Sequence, residues 1–268
     1  MIDTHTHLYE EAFAPDGGGE AAVDRALEAG IRHLVFPNVD STTIAPLLAL
    51  KERRPEVVSA AMGLHPTSVN ENRRDELDRV EKYLARGGFV AVGEVGMDLY
   101  WDSTFREAQR EVFDTQIGWA AASGLPVIIH CREALDDTLD ILRGRRGNLP
   151  PLVFHSFTLG PDEVARIRSV ADAWFGINGV VTYKNAASLR EAIPVIGASR
   201  LLLETDSPYL APVPRRGRRN ESSLLGYVRD VVAQAAGLSP EEIETTTDRN
   251  AIGLFRLPVA DSPVGATP

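Results

Sequence analysis

Short apolar runs rich in β-branched residues recur along the chain at 2–7, 33–38, 57–64, 89–95, 126–131, 152–155, 173–177 and 201–205. Between them the apolar positions change period. Phe105, Ala108, Val112, Ile117 and Ala120 recur at near-helical spacing across 103–123, and Leu77, Val80 and Leu84 do so across 73–86, where Gly87 and Gly88 supply a stop. Ala251, Leu254 and Phe255 mark one side of a last helix from about 248. Strands alternating with helices predict βα units around a parallel sheet. Eight such strands predict a single (β/α)8 TIM barrel, because closure removes the exposed edges that an open sheet would leave. A doubly wound open sheet is the other arrangement of such units, but the sequence carries no glycine-rich dinucleotide fingerprint. The 268 residues suit a barrel of about 250 residues. The expected organisation is one domain over 1–257 and a loosely ordered tail over 258–268.

The residues that end these runs are chemically selected. His5, His7, Glu94, His130, His155 and Asp206 each stand at the downstream end of a predicted strand. In a β/α barrel those ends form the C-terminal face, where active sites sit, so six positions scattered in sequence are expected to converge. Alternation along a strand puts His5 and His7 on one side, offering two imidazoles to one ion. A lone histidine is more often a satisfied structural residue; the pair, with four more ligand types at strand ends, points to a metal. His33 opens its run, at the opposite face, and is read as structural. Glu94 closes an apolar run between Gly93 and Gly96, where a carboxylate is costly unless paired or coordinated. A buried ion pair would satisfy it; alternatively, its two oxygens could link two cations. Glu204 and Asp206 alternate onto one face, which makes one a ligand or base and the other its support. Cys131 alternates away from His130 and is assigned to packing.

Composition narrows the partners. Acidic residues outnumber basic ones, 38 to 28, for a formal charge of −10, so no broad electrostatic footprint for nucleic acid is expected. A polyanionic substrate would have to be held locally. A single cysteine excludes an intrachain disulfide and suits a reducing compartment. No run approaches transmembrane length, and a removable signal peptide is not expected because the ligand pattern begins at Ile2. The cytoplasm is the expected location, with no membrane partner, and a monomer is assumed.

Read in order, Asp3-Thr-His5-Thr-His7-Leu, Gly63-Leu-His65-Pro, Gly93-Glu94-Val-Gly96-Met-Asp98, His130-Cys-Arg132, Phe154-His155-Ser-Phe157 and Glu204-Thr-Asp206-Ser-Pro208 resemble the TatD-type deoxyribonucleases, metal-dependent members of the amidohydrolase-like barrels. The resemblance runs from Asp3 to a final segment at 250–255. It implies one divalent ion on His5, His7, Glu94 and Asp206 and a second on Glu94, His130 and His155. Glu94 would stand where related barrels use a carbamylated lysine. No ligand position is missing, which implies a competent enzyme.

Two divalent ions roughly 3.5–4 Å apart can activate a water and neutralise an oxyanion. Asp206 would orient that water and accept its proton as general base, with Glu94 the other carboxylate at the centre. The mixed ligand set suits Zn²⁺ or Mn²⁺, while Mg²⁺ prefers oxygen. After the eighth run comes Pro214-Arg215-Arg216-Gly217-Arg218-Arg219-Asn220-Glu221, a solvated loop or a local phosphate clamp; TatD-like proteins have a similar basic segment here. His65, Arg132, Arg216, Arg218 and Glu204 are candidate substrate contacts. Tyr100 and Trp101 could stack a base, although packing against the barrel rim is the expectation. The resulting reading is hydrolysis of DNA phosphodiesters, exonucleolytic on single-stranded or frayed ends. The alternatives are an amidohydrolase-like enzyme on a small phosphoester, amide or lactone, and a non-catalytic metal-binding protein.

Overall fold

The computed structural model describes residues 1–259; most of the predicted tail lies outside the described residues. The strands are β1 (Ile2–Asp3), β2 (His33–Pro37), β3 (Val58–Met62), β4 (Ala91–Asp98), β5 (Val127–Arg132), β6 (Leu152–Phe154), β7 (Ala173–Ile177) and β8 (Leu201–Leu203). Helices alternate with them: α1 (Gly18–Glu28), α2 (Ser41–Arg53), α3 (Arg73–Leu84), α4 (Arg106–Ser123), α5 (Leu135–Gly144), α6 (Pro161–Arg168), α7 (Ala187–Ile196), α8 (Leu225–Ala236) and α9 (Pro240–Phe255). The strands are hydrogen-bonded in chain order, β1 to β8, the (β/α)8 arrangement expected from the sequence. Parallel strands with helices beyond them are buried on both sides, which is why they read as continuous apolar runs. All residues of β2, β3 and β4 are buried.

The chain groups into two compact units. Of the described residues, one comprises Met1–Leu34, Ser156–Val164 and 175–259; the other comprises Val35–His155 and Ala165–Trp174. In the first, β1 pairs with the start of β2, and β7 with β8 through Phe175↔Leu201, Gly176↔Leu202 and Ile177↔Leu203. α9 packs on α8 and β8, burying Ile243, Ala251 and Phe255. This helix begins eight residues before the expected 248, at Pro240. Its start is a capping box: Ser239 accepts the Glu242 amide, the Glu242 carboxylate accepts the Ser239 amide, and Pro240 occupies the first turn. In the second unit a core of Ile44, Met62, Leu64, Val69, Val80 and Val112 is flanked by Leu77, Leu84, Phe105 and Ala108. Leu77, Val80, Leu84, Phe105, Ala108 and Val112 are among the helical-period positions of the sequence.

His33, at the start of β2, is fully buried, and burial pushes its pKa down to about 4 from 6.5. Its linkage to stability has a definite sign. Above pH 6.5 the ring is neutral folded or unfolded; as pH falls from about 6.5 to about 4 only the unfolded chain takes the proton, and the native state loses stability. The loss attributable to His33 is on the order of 3 kcal/mol, complete below pH 4. Urea unfolding at pH 7 and pH 4, compared between wild type and His33→Gln, should show the smaller pH dependence in the variant. Equal pH dependence would remove His33 as a source of acid lability.

Candidate metal centre

In the first unit the candidate ligand residues lie just beyond strands. β1 ends at Asp3 and β8 at Leu203, so strand alternation, the basis of the sequence argument for His5 and His7 and for Glu204 and Asp206, does not operate there. Other contacts bring the side chains together. Thr6 bridges to Ser207 in parallel register, Asp206 N–H donates to His5 O at 2.9 Å and His7 N–H to Ser207 O at 2.8 Å. Asp206 adopts φ 57°, a left-handed conformation that aspartate tolerates better than most residues. His5 Nε2 and His7 Nε2 stand 3.2 Å apart, and Asp206 Oδ1 lies 3.7 Å from each. An ion bound at about 2.0–2.2 Å by nitrogen and oxygen ligands requires donor atoms roughly 3–3.5 Å apart. The two imidazole nitrogens meet that requirement, and Asp206 Oδ1 lies about 0.2 Å beyond it from each.

Asp3, Tyr9 and Asn220 hold this set in place, and strand-end spacing does not single them out. Asp3 is fully buried and accepts hydrogen bonds from the His5 amide at 3.3 Å and from the amide and hydroxyl of Thr205 at 3.0 and 2.6 Å. It therefore fastens together the two segments that carry His5, His7 and Asp206. Burial lifts its pKa to about 7, against the lowering effect of those bonds. Tyr9 Oη lies 2.7 Å from His7 Nδ1, orienting the ring so that Nε2 faces the cluster. Buried Asn220 donates from Nδ2 to Thr205 O at 2.8 Å. Glu204 is buried and its Oε1 accepts the Ser156 amide at 2.5 Å. Room for it comes from Gly176, where a Cβ would meet Glu204 Oε2 at 2.1 Å. The carboxylate is thus engaged with backbone rather than presented at the surface.

The second unit holds Glu94, His65, His130 and His155. Glu94 is inside β4, which continues to Asp98, and does not end the strand as the sequence suggested. The β4–β5 register shifts between Val92 and Val95, so one extra residue of β4 is accommodated where Glu94 sits; such a bulge re-aims a side chain. Beyond it Gly96 pairs with His130. Gly96 has φ 139°, and a Cβ there would lie 2.0 Å from His130 O, so only glycine permits the approach. Three imidazole nitrogens converge on Glu94 Oε1: His155 Nε2 at 2.7 Å, His130 Nδ1 at 2.8 Å and His65 Nε2 at 3.2 Å. His155 Nε2 and His130 Nδ1 are 3.5 Å apart. A carboxylate oxygen surrounded by imidazoles at these separations also suits a divalent ion.

Asp98 completes this set. Its Oδ2 lies 2.8 Å from His130 Nε2, which leaves Nδ1 as the ring atom facing Glu94, the kind of support common around metal-binding histidines. Burial opposes the Asp98 charge, but His130 and the amides of Tyr100 and Trp101 outweigh it and hold the carboxyl below its usual range. Burial likewise opposes a charged His130, yet Asp98 and Glu94 raise its pKa. His65, which the sequence suggested as a substrate contact, also faces Glu94. Its Nδ1 accepts the Thr67 amide at 3.1 Å, so the ring proton sits on Nε2, facing Glu94. Burial lowers its pKa. Burial pushes the Cys131 thiol up to about 11, and Thr138 donates to its sulfur at 3.5 Å, consistent with packing.

The arginine segment divides. Arg219 is not part of a clamp: it pairs with Asp16 and Glu221, each at 2.6 Å, and donates to Ala12 O at 2.7 Å. Arg215, Arg216 and Arg218 are exposed, Arg216 lying 4.4 Å from the centroid of Tyr183. Asn220 ties the end of this segment to the residue preceding Asp206. Tyr100 and Trp101 do not pack against a rim; they are 49% and 70% exposed, with the Arg132 guanidinium 3.8 Å from the Tyr100 centroid. Among the described residues no helix is long and apolar enough to cross a membrane.

A family model described as TatD related DNase matches residues 2–256. An uncharacterized metal-dependent hydrolase, YabD of Bacillus subtilis, is 35% identical over 96% of this chain and 99% of its own length. A protein of Erwinia billingiae named 3'-5' ssDNA/RNA exonuclease TatD is 35% identical over 96% of this chain and 100% of its own. The crystal structure of YjjV, a TatD homologue from Escherichia coli, superposes with a TM-score of 0.88 at 31% identity, covering 96% of this chain and 98% of that one. With the ordered ligand motifs and the (β/α)8 fold, these matches establish that the chain belongs to the TatD-related DNase family of metal-dependent hydrolases.

Proposed function

We propose that this enzyme hydrolyses phosphodiester bonds in DNA, acting from single-stranded or frayed ends, with 3′-to-5′ polarity as in the relative named an exonuclease. The observation that carries the reading is the pair of imidazole–carboxylate donor sets, His5/His7/Asp206 and His65/Glu94/His130, the second joined by His155. His5, His7 and Asp206 would hold one divalent ion and His130 and His155 another. Glu94 is assigned to both on the family pattern, and Zn²⁺, Mn²⁺ and Mg²⁺ are the candidate metals. Such ions, when bound, supply Lewis-acid stabilisation of phosphate oxygens and make water more acidic.

The chain's own groups divide the remaining work. Asp206 orients the attacking water and accepts its proton at a carboxylate oxygen. Asp98 and Tyr9 keep His130 and His7 turned towards their donor sets. His65 offers an N–H at Nε2 to a phosphate oxygen, its tautomer fixed by Thr67. Arg215, Arg216 and Arg218 hold flanking phosphates, a local grip suited to a chain of formal charge −10. Residues 1–257 act as one catalytic domain in this proposal, as a monomer in the cytoplasm.

The arginine assignment has a direct test. Arg216→Gln/Arg218→Gln should raise KM for a single-stranded oligonucleotide about ten-fold, leave metal content unchanged and make binding less salt-dependent. An unchanged KM would return the segment to a solvated loop. Turnover of small esters or lactones by the wild type, with oligonucleotides left intact, would favour the amidohydrolase-like alternative.

A further inference from the structure

We propose that Trp101, braced by Tyr100 and Arg132, is a stacking site for one nucleobase of the single-stranded substrate. The proposal rests on the nuclease reading and identifies what seats the nucleotide beside the reacting phosphate. Tyr100 and Trp101 are consecutive aromatic residues, 49% and 70% exposed, which forfeits their burial unless something covers them. Their rings stand edge to face, 5.0 Å apart at 83°. One side of Tyr100 is taken by the Arg132 guanidinium at 3.8 Å, which also lies over the Trp101 ring, more loosely, at 5.2 Å. Trp101, the more exposed of the two, is the platform.

The platform is built rather than loose. Asp98 Oδ1 accepts the Tyr100 and Trp101 amides at 3.0 and 3.3 Å, and Leu99 N–H donates to Arg132 O at 3.0 Å. The other oxygen of the same carboxylate holds His130 Nε2 at 2.8 Å. One residue therefore fixes both the aromatic pair and a metal-ligand candidate. β4–β5 register sets Asp98 opposite Arg132, two residues beyond Gly96 opposite His130. By alternation Arg132 and His130 project from the same side of β5. Arg132 has no carboxylate partner among the described residues, so while its face rests on Tyr100 its edge is available to a phosphate.

An aromatic face and an adjacent guanidinium are the two elements that hold a nucleotide without reading its sequence. Every base has a π face, and only an unpaired base exposes it. The site would thus select single strands and tolerate any base, and it lets an acidic protein bind a polyanion without a wide basic surface.

The test uses the full chain with added Mn²⁺ and labelled single-stranded oligonucleotides, either intact or carrying one abasic nucleotide at successive positions from the 3′ end. Trp101→Ala should raise KM for the intact strand about ten-fold, with kcat changed less than two-fold and Mn²⁺ uptake unchanged, and Trp101→Phe should recover most of the loss. In wild type, one abasic position should raise KM similarly, and at that position Trp101→Ala should add nothing. Tryptophan fluorescence, quenched by the strand in wild type and not in Trp101→Phe, reads the stacking without turnover. Quenching without cleavage would overturn the nuclease reading and keep the platform. Cleavage with KM indifferent to Trp101 and to every abasic position would overturn the platform and keep the nuclease. Neither quenching nor cleavage would overturn both.

Discussion

Asp206→Asn should lower kcat for DNA hydrolysis by about 10³-fold or more, the range expected when a positioned general base is removed, with added loss from weakened metal binding. The substitution preserves size and one carbonyl oxygen but removes the charge that faces His5 Nε2 and His7 Nε2 at 3.7 Å. It should leave the fold intact. The backbone of residue 206 is held by its amide on His5 O and by the Tyr209 amide on its own carbonyl, and asparagine tolerates the φ of 57° found there. The discriminating comparison is kcat against KM, with metal content measured on the same samples. A variant retaining more than a tenth of wild-type kcat would remove Asp206 from the chemistry.

Glu94 carries the second large expectation. Glu94→Gln should abolish measurable turnover and reduce the content of both ions, whereas His155→Asn should reduce mainly one. Within its own unit Glu94 is the oxygen on which His65, His130 and His155 converge; a neutral amide there weakens the attraction for a cation and presents an N–H₂ that cannot ligate. Metal affinity should fall by at least about 100-fold, beyond what loss of an outer supporting group produces. Elemental analysis after equilibration with limiting Mn²⁺ or Zn²⁺ reads this without turnover. Equal depletion of both ions in the two variants would sink the assignment of Glu94 to both.

The fold and the candidate ligands were legible for one reason. Parallel strands buried on both sides leave continuous β-branched runs, and a polar residue at or just past such a run is conspicuous. Val127-Ile128-Ile129-His130 and Leu152-Val153-Phe154-His155 show this directly, and both histidines reach the cluster. The strand model was less sound near the ligands. His5, His7 and Asp206 lie past strand ends, and their juxtaposition comes from the Thr6–Ser207 bridge and a left-handed residue rather than from alternation. Asp3 was visible in the motif, but its partner Thr205 lies 202 residues away, a relation that no local spacing reveals. Asp98 stood in the quoted motif, but its partner His130 lies on the neighbouring strand, 32 residues away. Arg219 resembled its neighbours in sequence, and only the fold brought Asp16 beside it. The early start of α9 was legible, since Ser239-Pro240-Glu241-Glu242 is a capping signature; the more obvious apolar stripe farther along obscured it.

The most direct measurement is hydrolysis of a 5′-labelled single-stranded DNA oligonucleotide by the full chain, first stripped of metal and then supplied separately with Mg²⁺, Mn²⁺ or Zn²⁺, with bound metal quantified in each sample. A ladder shortening from the 3′ end, appearing only with metal and absent in Asp206→Asn, is the predicted result. Full metal occupancy with no cleavage of any strand would contradict the account.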